Sequence, residues 1–244
     1  MKFTPFDKRM KEYENAYRMK LPKRMPVIIR IDGKAFHTYT KGMTKPFDGY
    51  LTHAMWETCK YLAKNIMGCK MAYTQSDEIN LLLTNYEKVT TESWFNNNIQ
   101  KIVSVSASLA TAKFNEVMRE ESPTTGVSNK LALFDSRVWV LPKEEVINYF
   151  IWRQQDATKN SIQMVAQAEF SHDQLQGLNS GQLQDKLFLE RGINWNDLPT
   201  WQKRGSCIKK VNFERNGSTR SAWDVDLETP IFSQDRNYIE RYVH

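Results

Sequence analysis

The stretch MAYTQSDEINLLL, residues 71–83, sets two adjacent acids, Asp77 and Glu78, between segments that read as strands. Neighbouring carboxylates repel, and strands disfavour Asp. "KMAYT" and "INLLLT" flank "QSDE", so the stretch reads as a hairpin with an acidic tip. A placement that is unfavourable twice over needs a compensating partner elsewhere in the chain.

Upstream, "PVIIRI" (26–31) is a short branched apolar run that suits a buried strand and ends at the turn signal Asp32-Gly33. Between the two strands, Leu51, Met55, Cys59, Leu62 and Ile66 recur at helical spacing, and Gly68 ends the helix. Downstream, beyond a polar loop, Ser106, Ala110, Phe114 and Val117 mark a second helix, and "FDSRVWVLP" (134–142) reads as a strand stopped by Pro142. The order β-α-β-β-α-β predicts an α+β, ferredoxin-like antiparallel sheet. Right-handed crossovers place the first and third strands side by side at its centre. Asp32 then lies next to the tip carrying Asp77, so acids far apart in sequence converge at one end of the sheet.

Beyond Pro142 a long helix (143–170), a capping box at "SHDQ", a helix over 181–191 ending at Gly192, and a hairpin around Asn216-Gly217 follow. The predicted organisation is a catalytic core, 1–142, with a helical lead-in, and a mostly helical, basic extension, 143–244, packed on it.

With 41% apolar and 25% charged residues among 244, the composition is that of a globular protein, not of a disordered or fibrous one. No apolar run is long enough to span a bilayer. The N-terminal stretch has no apolar core of a secretory signal, and Cys59, Cys69 and Cys207 form no CxxC pair. The expectation is a cytoplasmic protein with reduced thiols. A net charge of +6 favours phosphate-bearing partners, RNA above all.

Two converging carboxylates suit a pair of divalent cations that clamp the attacking and leaving oxygens of a phosphoryl transfer, and Mg2+ takes such oxygen ligands. The plain alternative is a turn Asp and an acidic hairpin tip, each commonplace. "DGKAFH" (32–37) adds weight: Gly33 allows close backbone approach, and the following amides suit an anion-binding nest. Lys34 and Lys45, with His37, bring charge for a triphosphate. There is no GxxxxGK[ST] and no GxGxxG. "SHD" (171–173) reads as a helix cap, not a triad. A passive RNA-recognition module stacks bases on aromatics of its central strands, but "VIIRI" and "INLLL" have none. A nucleotide cyclase, with a similar sheet and acid pair, is the remaining rival.

In order and spacing, "VIIRIDGKAFH", "KPFD", "AYTQSDE", "FDSRVWVLP" and "WRQ.D" resemble the tRNA-His guanylyltransferase family, and its bacterial guanylyltransferase-like branch most. The resemblance implies a polymerase-like palm that adds nucleotides to the 5′ end of tRNA in the 3′–5′ direction. A 5′-monophosphate is first activated with ATP, and GTP or another NTP then attacks through its 3′-OH. By motif, Asp32, the Gly33 carbonyl and Asp77 are implied to ligate two Mg2+ ions, with Glu78 in support. Gly33, Lys34, Ala35, Phe36 and His37, with Lys45 and Ser76, are implied to hold the triphosphate. Arg153, Asp156, Asn160 and Lys186 match positions near RNA or phosphate. Where eukaryotic members carry His-Ile-Asn-Asn, this chain has Thr158-Lys159-Asn160-Ser161. That shifts the expectation from strict G addition on tRNA-His toward template-dependent repair of 5′-truncated tRNAs. Members of the family are commonly homotetramers, and the same is expected here.

Overall fold

A computed structural model describes residues 4–121 and 130–244. In chain order the elements are α1 (Pro5–Ala16), β1 (Val27–Gly33), α2 (Phe36–Tyr39), α3 (Gly49–Asn65), β2 (Cys69–Gln75), β3 (Glu78–Leu83), α4 (Ile99–Glu121) and β4 (Phe134–Val140). They continue with α5 (Lys143–Glu169), α6 (His172–Leu175), α7 (Ser180–Arg191), α8 (Thr200–Arg204), β5 (Ser206–Arg215), β6 (Ser218–Asp226) and α9 (Asn237–Glu240).

The strands form one antiparallel sheet in the order β4-β1-β3-β2-β5-β6. Its first four strands have the ferredoxin-like arrangement expected from the sequence, with β1 beside β3. The C-terminal hairpin, legible as a hairpin but not in its pairing, joins the sheet through Ala72–Ile208, Tyr73–Cys207 and Thr74–Ser206.

Strand alternation divides the side chains between two covered faces. Val27, Ile29 and Ile31 pack with Ile79, Leu81 and Leu83 against Met55, Leu62 and Phe114 of α3 and α4. Ile28, Met71, Tyr73 and Leu82 face the other way, against Val146, Ile147 and Phe150 of α5. Burial on both faces explains why β1 and β3 read as near-continuous apolar runs. Each fully buried Leu, Ile or Phe contributes about 1.5–3 kcal/mol. The same alternation sends Arg30, Asp32, Glu78 and Asn80 to the α5 face, where polar groups need partners. A smaller core joins the end of α5 to α7 through Val165, Phe170, Leu183 and Leu187.

Local chemistry sets the element ends. Asp48 caps α3 by accepting from Leu51 N at 3.0 Å, and its second oxygen accepts from Thr44 N at 3.0 Å, which pins the preceding loop. Ser171 forms the capping box read from the sequence, and Gly192 ends α7 in the left-handed region. The three cysteines are free and buried, and burial pushes the Cys69 and Cys207 thiols up to about 12. Among the described residues no helix is long and apolar enough to cross a membrane.

Candidate active site

The acidic hairpin is tighter than the sequence suggested. Only Ser76 and Asp77 connect the strands, because Glu78 already belongs to β3. Ser76 takes φ 50°, the left-handed backbone that so short a connection demands. Its hydroxyl donates to Asp77 Oδ1 at 3.0 Å. The Gly33 amide donates to the Asp77 carbonyl at 3.1 Å, fastening the end of β1 to the tip. Asp32 therefore sits opposite Glu78 in the ladder, beside Asp77. Gly33 is required here, since a Cβ would lie 2.2 Å from the Phe36 ring.

The three acids have different surroundings. Glu78 is buried and fully engaged: it accepts from Arg153 Nε and Nη2 at 2.8 Å each, and Arg30 Nη2 lies 2.8 Å away. Asn80 Nδ2 donates a further bond to it at 2.8 Å. These partners offset the repulsion between the adjacent carboxylates. Asp32 Oδ1 accepts from Arg30 Nη2 at 2.9 Å, but its Oδ2 is buried without a hydrogen-bond partner. Arg137 Nη2 lies 3.6 Å from that oxygen. The Asp77 carboxyl is held above its ordinary range by burial, with Asp32 and Glu78 adding to the effect and the Ser76 hydroxyl opposing it.

An unpartnered buried carboxylate oxygen next to an electrostatically disfavoured carboxyl is an environment that a divalent cation relieves. One or two carboxylates are what Mg2+ uses when substrate phosphates complete its shell. Among the described residues no group of three or more His, Cys, Asp or Glu is placed to form an all-protein cage.

A cleft of about 460 Å3 opens at the hairpin tip, walled by the 36–48 segment, the start of α3, the end of α5, and α8. His37, Lys45, Ser76, Asp77 and Asn160 all line it. Ala35, at φ 53°, turns the chain into the short helix α2, whose leading amides lack helical acceptors. The nest is narrower than expected, because the Lys34 amide is committed to Leu133 O at 2.7 Å. The Phe36 ring belongs to the core, packed on Tyr39, Phe114 and Phe134. Arg153, Asp156 and Asn160 occupy successive turns of α5 and run as a polar chain: Arg153 Nη2 to Asp156 Oδ2 is 2.6 Å, and Asn160 Nδ2 donates to the same oxygen at 3.4 Å. Lys186 stands apart from the cleft lining, paired with Glu190 at 2.6 Å and lying over the Phe170 ring. Sequence reasoning missed Phe47, Trp56 and Trp201, which bring an aromatic wall to the cleft with ring centroids 6.0 and 5.4 Å from Trp201. They come from three separate segments, so no spacing connects them.

A family profile described as tRNAHis guanylyltransferase matches residues 7–142. The chain is 31% identical to the tRNA(His) guanylyltransferase of Kluyveromyces lactis, across 75% of this chain and 81% of that one. Among solved structures it is similar to a bacterial tRNA(His) guanylyltransferase (Thg1)-like protein in complex with ATP, with 65% identity, TM-score 0.90, and 98% and 99% of the two chains covered. The corresponding GTP complex gives 62% identity, TM-score 0.86, and coverage of 99% and 100%. The Saccharomyces cerevisiae enzyme, at 24% identity and TM-score 0.69 over 85% and 93% of the chains, shares the fold.

Proposed function

The chain belongs to the tRNA-His guanylyltransferase family of 3′–5′ nucleotidyltransferases, and from that premise we propose that it restores missing 5′ nucleotides of tRNA opposite a template. The observation that carries the reading is the meeting of Asp32, with its buried unpartnered Oδ2, and Asp77, with its disfavoured charge, beside a nucleotide-sized cleft. Asp32, Asp77 and the Gly33 carbonyl are the ligands for two Mg2+ ions, which when bound neutralise charge on the reacting phosphate oxygens.

The remaining roles fall to the chain's own groups. Arg30 holds Asp32 Oδ1 and leaves Oδ2 unpartnered, and Arg153 holds Glu78. The amides from Ala35 to His37, with Lys34, Lys45 and Ser76, bind the triphosphate of ATP or the incoming GTP or NTP. Trp56 and Trp201 pack against the base. Asp156, Asn160 and Lys186 contact phosphate or RNA farther along α5 and α7. The structures of a bacterial Thg1-like protein in complex with ATP and in complex with GTP support a site that accepts both an activating and an incoming nucleotide. Thr158, standing where eukaryotic members have His, favours templated repair over strict G addition. The protein works in the cytoplasm as a homotetramer, and the apolar stripe of α1, with Phe6 61% and Tyr13 66% exposed, supports a subunit contact there.

The test offers full-length and 5′-shortened tRNAs with each NTP, Mg2+ and ATP. Extension of the shortened tRNA by the nucleotide complementary to the opposing base is the expected result. A cyclic or dinucleotide product from NTP alone would replace this reading with a cyclase, and RNA binding without turnover would replace it with a passive binder.

A further inference from the structure

Outside the cleft lining, a second group of side chains gathers on the α5 face of the sheet near Asp32 and Glu78. β4 is an edge strand, and on its α5 face Asp135 and Arg137 stay open to solvent, with side chains 53% and 58% exposed. Alternation puts Trp139 on the same face, and its ring meets Tyr149 of α5 at 5.5 Å. Tyr149 in turn meets Trp152 at 5.9 Å. Trp152 is 53% exposed, and Arg153 lies over its ring at 4.3 Å. The same Arg153 grips Glu78, while Arg137 reaches to 3.6 Å from the unpartnered oxygen of Asp32. An open indole, backed by the buried guanidinium that grips Glu78, thus lies on the sheet face that also carries Asp32 and the exposed guanidinium of Arg137.

This chemistry suits a nucleobase stacked on the indole and its phosphate held by Arg137. Resting on the nucleotidyltransferase reading above, we propose that Trp152 is the stacking platform for the 5′-terminal base of the RNA substrate, and that Arg137 holds the adjoining phosphate. The RNA end then enters along the strip between α5 and β4, while the nucleotide occupies the cleft across the hairpin tip. Trp152 is a positioning residue in this arrangement: it sets where the RNA end stops relative to Asp32. A rigid, open indole performs this task for any base, as templated repair at different tRNA ends requires.

The experiment measures binding of a 3′-labelled, 5′-shortened tRNA to the full chain without NTP, so that it does not depend on turnover. Trp152→Ala is expected to weaken binding about tenfold, Trp152→Phe to recover most of the loss, and Arg137→Gln to flatten the salt dependence. An abasic residue at the RNA 5′ end should weaken wild-type binding by a similar factor and leave Trp152→Ala unaffected. In steady-state assays of Trp152→Ala, KM for RNA should rise while KM for NTP changes less than about twofold. Equal RNA affinity of wild type and Trp152→Ala would overturn the proposal. So would an abasic penalty of the same size in both proteins, or a changed subunit number in the alanine variant, which would make Trp152 an assembly residue. Loss of nucleotide addition in the wild type with the binding pattern intact would instead count against the enzymatic reading alone.

Discussion

Asp32, Asp77 and Glu78 were legible as an acid cluster because a turn signal and a hairpin fixed their places, but their division of labour was not. That division depends on what packs against each face of the sheet, and one of the two arginines that neutralise Glu78 comes from α5, far along the chain. The side chain of Arg153 is only 4% exposed, so truncating it leaves a buried carboxylate short of a partner. Arg153→Met should destabilise the fold by about 3 kcal/mol in urea unfolding, and Arg153→Lys should recover little because it loses the two-pronged contact. Asp77 makes the opposite prediction. Its folded carboxyl takes up protons more readily than the unfolded one, so its contribution is favourable at acid pH and is lost as pH rises through the raised value. Without Mg2+, Asp77→Asn should therefore raise the melting temperature at pH 7, leave it nearly unchanged below the ordinary carboxylate range, and shrink the stabilisation that added Mg2+ gives the wild type.

At the scale of elements, the alternating strands and the spacing of Leu51, Met55, Cys59 and Leu62 made the four-strand core readable, since each pattern reports one buried face. Pairing of the C-terminal hairpin with β2 was not readable. Its residues encode a hairpin, whereas its neighbour depends on a close approach at Gly205. There φ is +75°, and a Cβ would lie 2.6 Å from Thr74 O and 2.8 Å from Tyr73 Oη. Gly205→Ala should cost about 2 kcal/mol or more and lower nucleotide affinity together with stability, because it pushes α8 and Trp201 away from the cleft. The aromatic wall was illegible for a related reason: segments remote in sequence meet only after the sheet has formed. Trp201→Ala should raise KM for NTP about tenfold, with melting temperature and RNA affinity much less affected, as measured by initial rates and differential scanning.

For the whole molecule, charge and composition pointed to a phosphate-bearing partner, and membership of the family agrees with that direction. Assembly lies beyond patterning, because α1 buries none of its side chains within the chain. Replacing Phe6 and Tyr13 by Asp should convert the proposed homotetramer to smaller species by light scattering while leaving each subunit folded. The most direct measurement at this scale follows incorporation of labelled GTP into a 5′-shortened tRNA by the wild type, Asp32→Ala and Asp77→Ala, with folding and RNA binding checked in parallel. Folded, RNA-competent variants should lose about a thousandfold in kcat/KM, equivalent to about 4 kcal/mol of transition-state stabilisation. Addition at the wild-type rate by either variant would contradict a metal-assisted transfer at these two carboxylates.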